Sequence, residues 1–273
     1  MTELDRAQAV QDLLWVINSP SFVAGRNVAP PMSLEADMID GDTLAAFLQP
    51  RAGHRVGHYF EALLHFWLEQ IRQVDMVGAG IQLRDGKRTV GEIDFLYRDE
   101  QDCLTHCEAS VKFFLHHPRS GTSDFPGPNS TDNYELKITK LFDQQLAASA
   151  PFYDNVEQRH AFVKGFVFYH SAVARPAVLP ARMPLNHQRG LWLRVSELDT
   201  LRDRNRLVGC IAEKPHWLAP NVSAELLAME ALCDGLATHF EGRAHPVMVS
   251  LRDSQTTNEV DRLFVVSDRW PNR

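Results

Sequence analysis

The sequence predicts an α/β (α+β) fold, and three patterns of apolar residues support this prediction. Between Gly57 and Val74, apolar residues recur every three or four positions, which is typical of an amphipathic helix. The run at 89–97 alternates between apolar and polar residues from position 92 onward, as a half-buried strand does. The run AFVKGFVFY at 161–169 is apolar enough for a buried strand. A chain of 273 residues is also long enough to bury a large core.

The first fifty residues predict a helical segment that packs on the core. Residues 7–18 are expected to form a short amphipathic helix, and a second short helix is expected over 42–49. Prolines between them predict an irregular connection, and Pro50 ends the second helix. We therefore treat residues 1–50 as one N-terminal helical segment.

The central segment, residues 51–170, predicts the order helix, three strands, helix and strand. The expected elements are a helix over 57–74, strands over 79–83, 89–97 and 104–115, a helix over 134–149 and a strand over 161–169. Alternation places Glu92, Asp94 and Leu96 on one face of the second strand. The stretch 116–133 is rich in proline and glycine, which predicts a long irregular loop of the kind that often carries function.

Residues 171–273 predict a C-terminal α+β extension of the same domain. The expected elements are a strand over 191–195, a helix over 224–240, and strands over 247–251 and 263–266. No low-complexity linker separates this segment from the core, so we expect it to pack on the core as part of one domain.

Composition favours a cytoplasmic protein that is not embedded in a membrane. No run approaches the roughly 18 apolar residues that a membrane helix needs, and acidic residues precede the first apolar stretch, unlike a secretory signal. The formal charge is −7, but residues 1–50 carry seven acids against two arginines, so the remainder holds only −2 and leaves room for a local basic face. Motifs for ATP, dinucleotide or serine-hydrolase chemistry are absent.

Three acidic residues are expected to converge on the predicted sheet. Asp94 lies on the second strand and Glu108 on the third, and strands about 4.8 Å apart allow two facing carboxylates to share a divalent ion. Glu61 lies on the preceding helix within the apolar stretch FEALLHFWL, where an inward charge needs a partner, either the metal or a nearby base such as Arg55. Lys112 follows Glu108 by four residues and shares its face.

The runs GHYFEALL, GEIDF and CEASVKFFL resemble the core of the PD-(D/E)xK nuclease superfamily over about residues 52–170. This resemblance implies a restriction-endonuclease-like αβββαβ core with a mixed central sheet flanked by helices. More narrowly, GEIDFLYRD, EASVKFFL, GPN and KLFDQQL resemble a bacterial family known as domain-of-unknown-function family 1853, over nearly the whole chain. In the superfamily an aspartate on strand two and a glutamate on strand three bind Mg²⁺, with a glutamate from helix one; these roles would fall on Asp94, Glu108 and Glu61.

The chain departs from the E-x-K pattern of the superfamily, because Ser110 stands two residues after Glu108. Lys112 lies about 13 Å of strand beyond Glu108, and its long side chain can recover part of that distance. The helix over 134–149 offers other cations and amides that could reach the acids or the substrate, namely Lys137, Lys140, Gln144 and Gln145.

Two hypotheses follow for the function. The first is a phosphodiesterase that uses Mg²⁺ (or Mn²⁺) to cut DNA or RNA, with Asp94, Glu108 and Glu61 as metal ligands and Lys112 beside the attacking water. Oxygen ligands suit these ions, and phosphodiester hydrolysis needs both an activated water and charge neutralisation. The second is a catalytically inactive nuclease-like fold that binds nucleic acid or protein, which Ser110 and the acidic first fifty residues motivate.

Overall fold

The computed structural model describes residues 3–51, 53–119, 122–222, 224–243 and 245–272. The helices are α1 (Glu3–Asn18), α2 (Gly41–Leu48), α3 (Val56–Phe66), α4 (Tyr134–Lys140), α5 (Asp199–Arg202) and α6 (Met229–Gly242). One π-helical turn extends α3 over Trp67–Ile71, and another extends α4 over Leu141–Gln145. None of the helices within these ranges is long and apolar enough to cross a membrane.

Eleven strands lie in the described ranges. They are β1 (Asp75–Asp85), β2 (Arg88–Arg98), β3 (Leu104–Leu115), β4 (His117–Arg119), β5 (Thr122–Asp124), β6 (Gln158–His170), β7 (Gln188–Arg194), β8 (Leu207–Ala212), β9 (Leu227–Ala228), β10 (Val247–Asp253) and β11 (Glu259–Val266). By their internal contacts the residues form two compact units. Unit 1 comprises Met1–Lys112, Glu135–Gly165 and Pro180–His187, and unit 2 comprises Phe113–Tyr134, Phe166–Leu179 and Gln188–Arg273.

Unit 1 contains a meander of three strands followed by a fourth. β2 pairs antiparallel with both β1 and β3, and β6 is the next neighbour of β3. Along the chain the order is α3, β1, β2, β3, α4 and β6. The predicted order of helix, three strands, helix and strand is therefore confirmed.

Helices cover both faces of the unit 1 sheet. On one face Phe95 of β2 packs against His65 of α3, with ring centroids 5.6 Å apart. On the other face the Nδ1 of His106 lies 3.0 Å from the hydroxyl of Ser149, just after the π-helical turn of α4. Because β3 residues alternate, Cys107, which is paired with Phe95, faces α3 while His106 faces α4. The prediction of a mixed α/β fold is confirmed.

A buried polar contact joins α1 to α3 inside unit 1. Asp12 of α1 is fully buried and accepts hydrogen bonds from the Tyr59 hydroxyl at 3.0 Å and from the Gln8 amide at 3.1 Å. Burial and the Asp12 carboxylate raise the pKa of Tyr59 well above its ordinary value, so this hydroxyl stays protonated and donates. The contact fixes the rotation of α3, which carries Glu61 two residues further on.

Tyr59→Phe is expected to lower the free energy of unfolding by about 2 kcal/mol, because it removes a donor from a buried carboxylate without changing the ring. Urea unfolding followed by tryptophan fluorescence measures the change. Tyr153→Phe is the matched control, since Tyr153 is only half-buried and packs at the edge of an apolar cluster. Equal stabilities of the two variants would contradict the role given to this contact.

Unit 2 contains the second half of β6 and five further sheet strands. Their order is β6, β7, β11, β10, β8 and β9, with the first two pairings parallel and the others antiparallel. α6 buries Leu232, Cys233 and Leu236 in one cluster with Val249 and Leu263 of the strands. This apolar side of α6 is the stripe that its periodicity predicts.

Two predictions for the later part of the chain are wrong in detail. The helix expected over 224–240 begins at Met229, because Leu227–Ala228 pair with Val208 and Gly209 as the short strand β9. The stretch 116–133 was expected to be irregular throughout, but it contains the antiparallel pair of β4 and β5. These three strands, β4, β5 and β9, are two or three residues long, and such short strands leave little periodic signal in a sequence.

Candidate active site

Asp94 lies where β2 and β3 separate. The paired register of these strands ends at Phe95↔Cys107, one residue before Asp94 is reached. Beyond this pair, the Oδ2 atom of Asp94 accepts a hydrogen bond from the backbone N–H of Ala109 at 2.8 Å. The side chain thus replaces a strand carbonyl as the acceptor for Ala109, and this fixes the carboxylate between the diverging strands.

A cleft of about 390 Å³ opens beside Asp94, between α3 and the strands β1 and β2. Its wall carries three acids, Glu61 from α3 together with Glu92 and Asp94 from β2. Gly80 of β1 forms part of the floor with a φ of +63°, a conformation that favours glycine. A Cβ atom at this glycine would lie 3.9 Å from Oε1 of Glu92, so that carboxylate extends over the floor.

Burial and neighbouring charges act together on Asp94. Burial, followed by the charges of Glu108, Glu61 and Glu92 in that order, raises the pKa of Asp94 to about 8. The hydrogen bond from Ala109 acts in the opposite direction. Desolvated acids that perturb one another in this way are typical of sites that hold a cation or transfer protons.

The pKa of Glu61 is also raised above its ordinary value. Burial is the main cause, and the charges of Glu92 and Glu108 add to it. The charges of His58 and Lys112 lower it again, so both bases lie within electrostatic reach of this carboxyl. The structure therefore brings Glu61 and Asp94 to the same cleft and places Lys112 within electrostatic reach of Glu61, whereas Arg55 is not among the charges that perturb Glu61.

Glu108 is fully buried behind the cleft and is held by two side chains. Its Oε1 lies 2.7 Å from the Nε2 of His106, and its Oε2 accepts a hydrogen bond from the Gln145 amide at 2.9 Å. His106, itself fully buried, reaches the hydroxyl of Ser149 through its other nitrogen. Each carboxylate oxygen has two lone pairs, so these contacts leave Glu108 with acceptor capacity.

Removing His106 is expected to destabilise the fold through Glu108. His106→Ala leaves a buried carboxylate oxygen and the Ser149 hydroxyl without this partner, which should lower the free energy of unfolding by about 3 kcal/mol. Ser149→Ala removes only the outer contact and should lower it by about 1 kcal/mol. Urea unfolding of both variants tests the chain of contacts, and a larger loss for Ser149→Ala would contradict it.

The substrate-contact residues predicted on α4 lie at its surface. Lys137, Lys140 and Gln144 are all exposed. Gln145, rather than Gln144, contacts Glu108, because the π-helical turn over Leu141–Gln145 rotates the later residues relative to a regular helix. These three side chains face solvent.

The predicted alternation of β2 breaks at Asp94. Ile93 and Leu96 belong to the same buried cluster, while Asp94 and Phe95 between them both line the cleft. Leu96 therefore does not share a face with Asp94, and that prediction is wrong. Opposite Asp94, between the pairs Ala79↔Phe95 and Ile81↔Ile93, Gly80 of β1 adopts a positive φ.

Two residues of the cleft were missed at the sequence level. Alternation predicts that Glu92 shares a face with Asp94 but does not by itself assign it to the site, and in the structure its side chain joins the wall of the cleft. His58 precedes Glu61 by three residues, a spacing that brings side chains together on a helix.

Carboxylate oxygens and a lysine are the groups that a magnesium-dependent hydrolase would employ. Within the described ranges, however, no group of three or more His, Cys, Asp or Glu side chains is arranged to hold a metal ion. The cleft therefore has suitable donor atoms, but the described side chains do not surround a single point where a cation could sit.

Comparison with known proteins identifies one family. A family model described as "Domain of unknown function (DUF1853)" matches residues 11–266. No curated protein and no solved structure matches the chain.

Proposed function

The chain belongs to the DUF1853 family, and we propose that it is a metal-dependent phosphodiesterase that cleaves DNA or RNA on a PD-(D/E)xK-type core. The observation that carries this proposal is the position of Asp94. Its carboxylate lies between two diverging strands at a cleft, where Glu61, Glu92 and Glu108 all raise its pKa. The αβββαβ order of unit 1 supports the same proposal.

Mg²⁺ (or Mn²⁺) is the proposed cofactor, because the donors are carboxylate oxygens. Asp94, Glu61 and Glu108 would hold the ion. Such an ion, when bound, polarises the phosphoryl group and lowers the pKa of a bound water. Its charge would also offset the repulsion among acids that now raise the pKa of Asp94.

Lys112 is proposed to act on the anionic phosphate. Its charge already reaches Glu61 at the cleft, which supports this role despite Ser110 standing where the superfamily has lysine. An ammonium group near the reacting phosphate stabilises negative charge that develops in the transition state. The exposed Lys137, Lys140 and Gln144 are proposed to contact the nucleic-acid backbone outside the cleft.

A specific observation favours the second candidate, an inactive nuclease-like fold that binds nucleic acid or protein. Both carboxylate oxygens of Glu108 are already hydrogen-bonded, one to His106 and one to Gln145. In this candidate Glu108 serves the fold rather than a metal.

The direct test is a cleavage assay. The protein is incubated with labelled single- and double-stranded DNA and RNA in Mg²⁺, in Mn²⁺ and in EDTA. The enzyme hypothesis expects shortened products in at least one metal-containing reaction and none in EDTA. Intact substrates in every reaction, together with measurable binding to one of them, would instead support the second candidate.

A further inference from the structure

The β1–β2 hairpin separates from β3 and continues as a two-stranded ribbon. The register of β2 with β3 ends at Phe95, whereas its register with β1 continues to the pair Asp85↔Arg88. About seven residues of β2 thus project past the last paired position of β3, a length of roughly 20 Å. This projection begins at the acidic cleft.

One face of the ribbon is anchored to the protein. Leu83 and Ile93 are buried in a cluster that also includes Ala148 and Tyr153. At Gly91 an added Cβ atom would lie 3.6 Å from the Cβ of Ala148, which shows how closely the two segments approach. The base of the ribbon is therefore supported, and only residues 84–90 are exposed throughout.

The exposed tip is basic although the chain as a whole is acidic. Residues 84–90 contain Arg84, Lys87 and Arg88 against a single acid, Asp85, for a net charge of +2, while the whole chain carries −7. The Arg84 guanidinium donates to the Gln82 side chain at 3.0 Å, which holds it along β1. The tip concentrates positive charge at the end of a supported arm.

Strand alternation directs part of this charge to the side of the cleft. Gln82 of β1 pairs with Glu92, which lines the cleft, and Arg84 follows Gln82 by two residues and so lies on the same face. A register shift between Leu83 and Arg84 places Arg88, which pairs with Asp85, on the opposite face. At about 3.4 Å per residue, Arg88 lies roughly 20 Å from Asp94, which spans about six nucleotides of one strand in B-form DNA.

We propose that this ribbon is the arm that docks duplex DNA, with Arg84, Lys87 and Arg88 on the phosphates that flank the one presented to the cleft. The proposal rests on the proposed function for the identity of that cleft. A two-stranded ribbon fits the major groove of B-form DNA, which is about 12 Å wide. The major groove of A-form RNA is too narrow and deep for it, so the arm favours DNA over double-stranded RNA.

The salt dependence of binding tests the arm. The variant Arg84→Ala, Lys87→Ala, Arg88→Ala and the wild type are titrated in EDTA against a fluorescent 20-base-pair DNA duplex, over 50–200 mM salt. Each lost phosphate contact removes about 0.9 from the slope of log K against log salt. The triple variant should therefore have a slope shallower by about 2.7, so its affinity should fall about 40-fold less over this range.

Matched controls separate the arm from total charge. The variant Arg26→Ala, Arg243→Ala, Arg269→Ala removes the same charge from exposed positions outside the ribbon and should keep the wild-type slope. Duplex RNA and single-stranded DNA of the same sequence should bind more weakly than duplex DNA. Four results would each overturn the proposal. The slope of the ribbon variant could stay unchanged, or the control variant could change by the same amount. Duplex RNA or single-stranded DNA could bind as tightly as duplex DNA or more tightly, or duplex DNA could fail to bind.

The outcome is separable from that of the proposed function. If the ribbon variant has a changed salt slope but the protein cleaves nothing in any metal, the docking proposal is supported and the nuclease proposal is rejected. If the protein cleaves nucleic acid with a metal but the ribbon variant has an unchanged salt slope, the nuclease proposal is supported and the docking proposal is rejected.

Discussion

Asp94→Asn is expected to lower metal-dependent cleavage of nucleic acid by at least about a thousandfold. The substitution keeps the shape of the side chain, and the amide oxygen can still accept the hydrogen bond from Ala109. It removes the charge that would hold a divalent ion at the centre of the acidic cluster. A loss of about 4 kcal/mol in transition-state stabilisation corresponds to three orders of magnitude in rate.

Initial rates of cleavage of a labelled duplex, with Mn²⁺ in excess, measure the effect. Asp75→Asn is the matched control, because Asp75 is an exposed aspartate on the neighbouring strand β1 and should leave the rate unchanged. Cleavage by Asp94→Asn at the wild-type rate would show that another site carries the activity.

Periodicity predicted most of unit 1. The apolar stripe of α3 and the alternation of the second and third strands are local patterns, and burial of one face is what produces them. Those patterns brought Asp94 and Glu61 to a common region, because a strand and its neighbouring helix have few ways to pack. The narrower resemblance to family 1853 also agrees with the family to which the chain belongs.

The predictions that the sequence could not make correctly concern which side chains face the site, and these depend on backbone irregularities that leave no periodic signal. The positive φ of Gly80, which lies opposite Asp94 in the pairing of β1 with β2, accompanies the break that separates Leu96 from Asp94. The π-helical turn after α4 sets which of the two predicted amides, Gln144 or Gln145, contacts Glu108, a choice that the sequence left open. Each irregularity shifts a face by one residue, and one residue is enough to change which side chain reaches a site.

The partner of Glu108 illustrates a different limit. His106 and Glu108 are two apart on one strand, so their common face could be predicted from the sequence. That the imidazole would bond the carboxylate and reach Ser149 depends on where residue 149 folds back onto the sheet. Such long-range placement follows from tertiary packing and not from spacing.

The metal-free protein is expected to lose stability as pH rises from about 4 to about 8. The pKa of Asp94 is raised from 3.8 to about 8 in the folded state, so within this window the folded chain binds a proton that the unfolded chain has released. Stability then falls by about 1.4 kcal/mol per pH unit, on the order of 5 kcal/mol in total, and the raised pKa of Glu61 acts in the same direction.

Asp94→Asn should remove most of this slope, because the amide does not titrate. A divalent ion that binds the ionised acids should also remove it, so stabilisation by Mn²⁺ must grow with pH and be greatest near pH 8 in the wild type. Calorimetric melting temperatures at pH 5, 6.5 and 8, with Mn²⁺ and with EDTA, measure both effects. If Asp94→Asn keeps the pH dependence of the wild type, the titrating group lies elsewhere. If Mn²⁺ does not stabilise the wild type at pH 8, this cleft does not bind the metal, whether or not the protein cleaves nucleic acid.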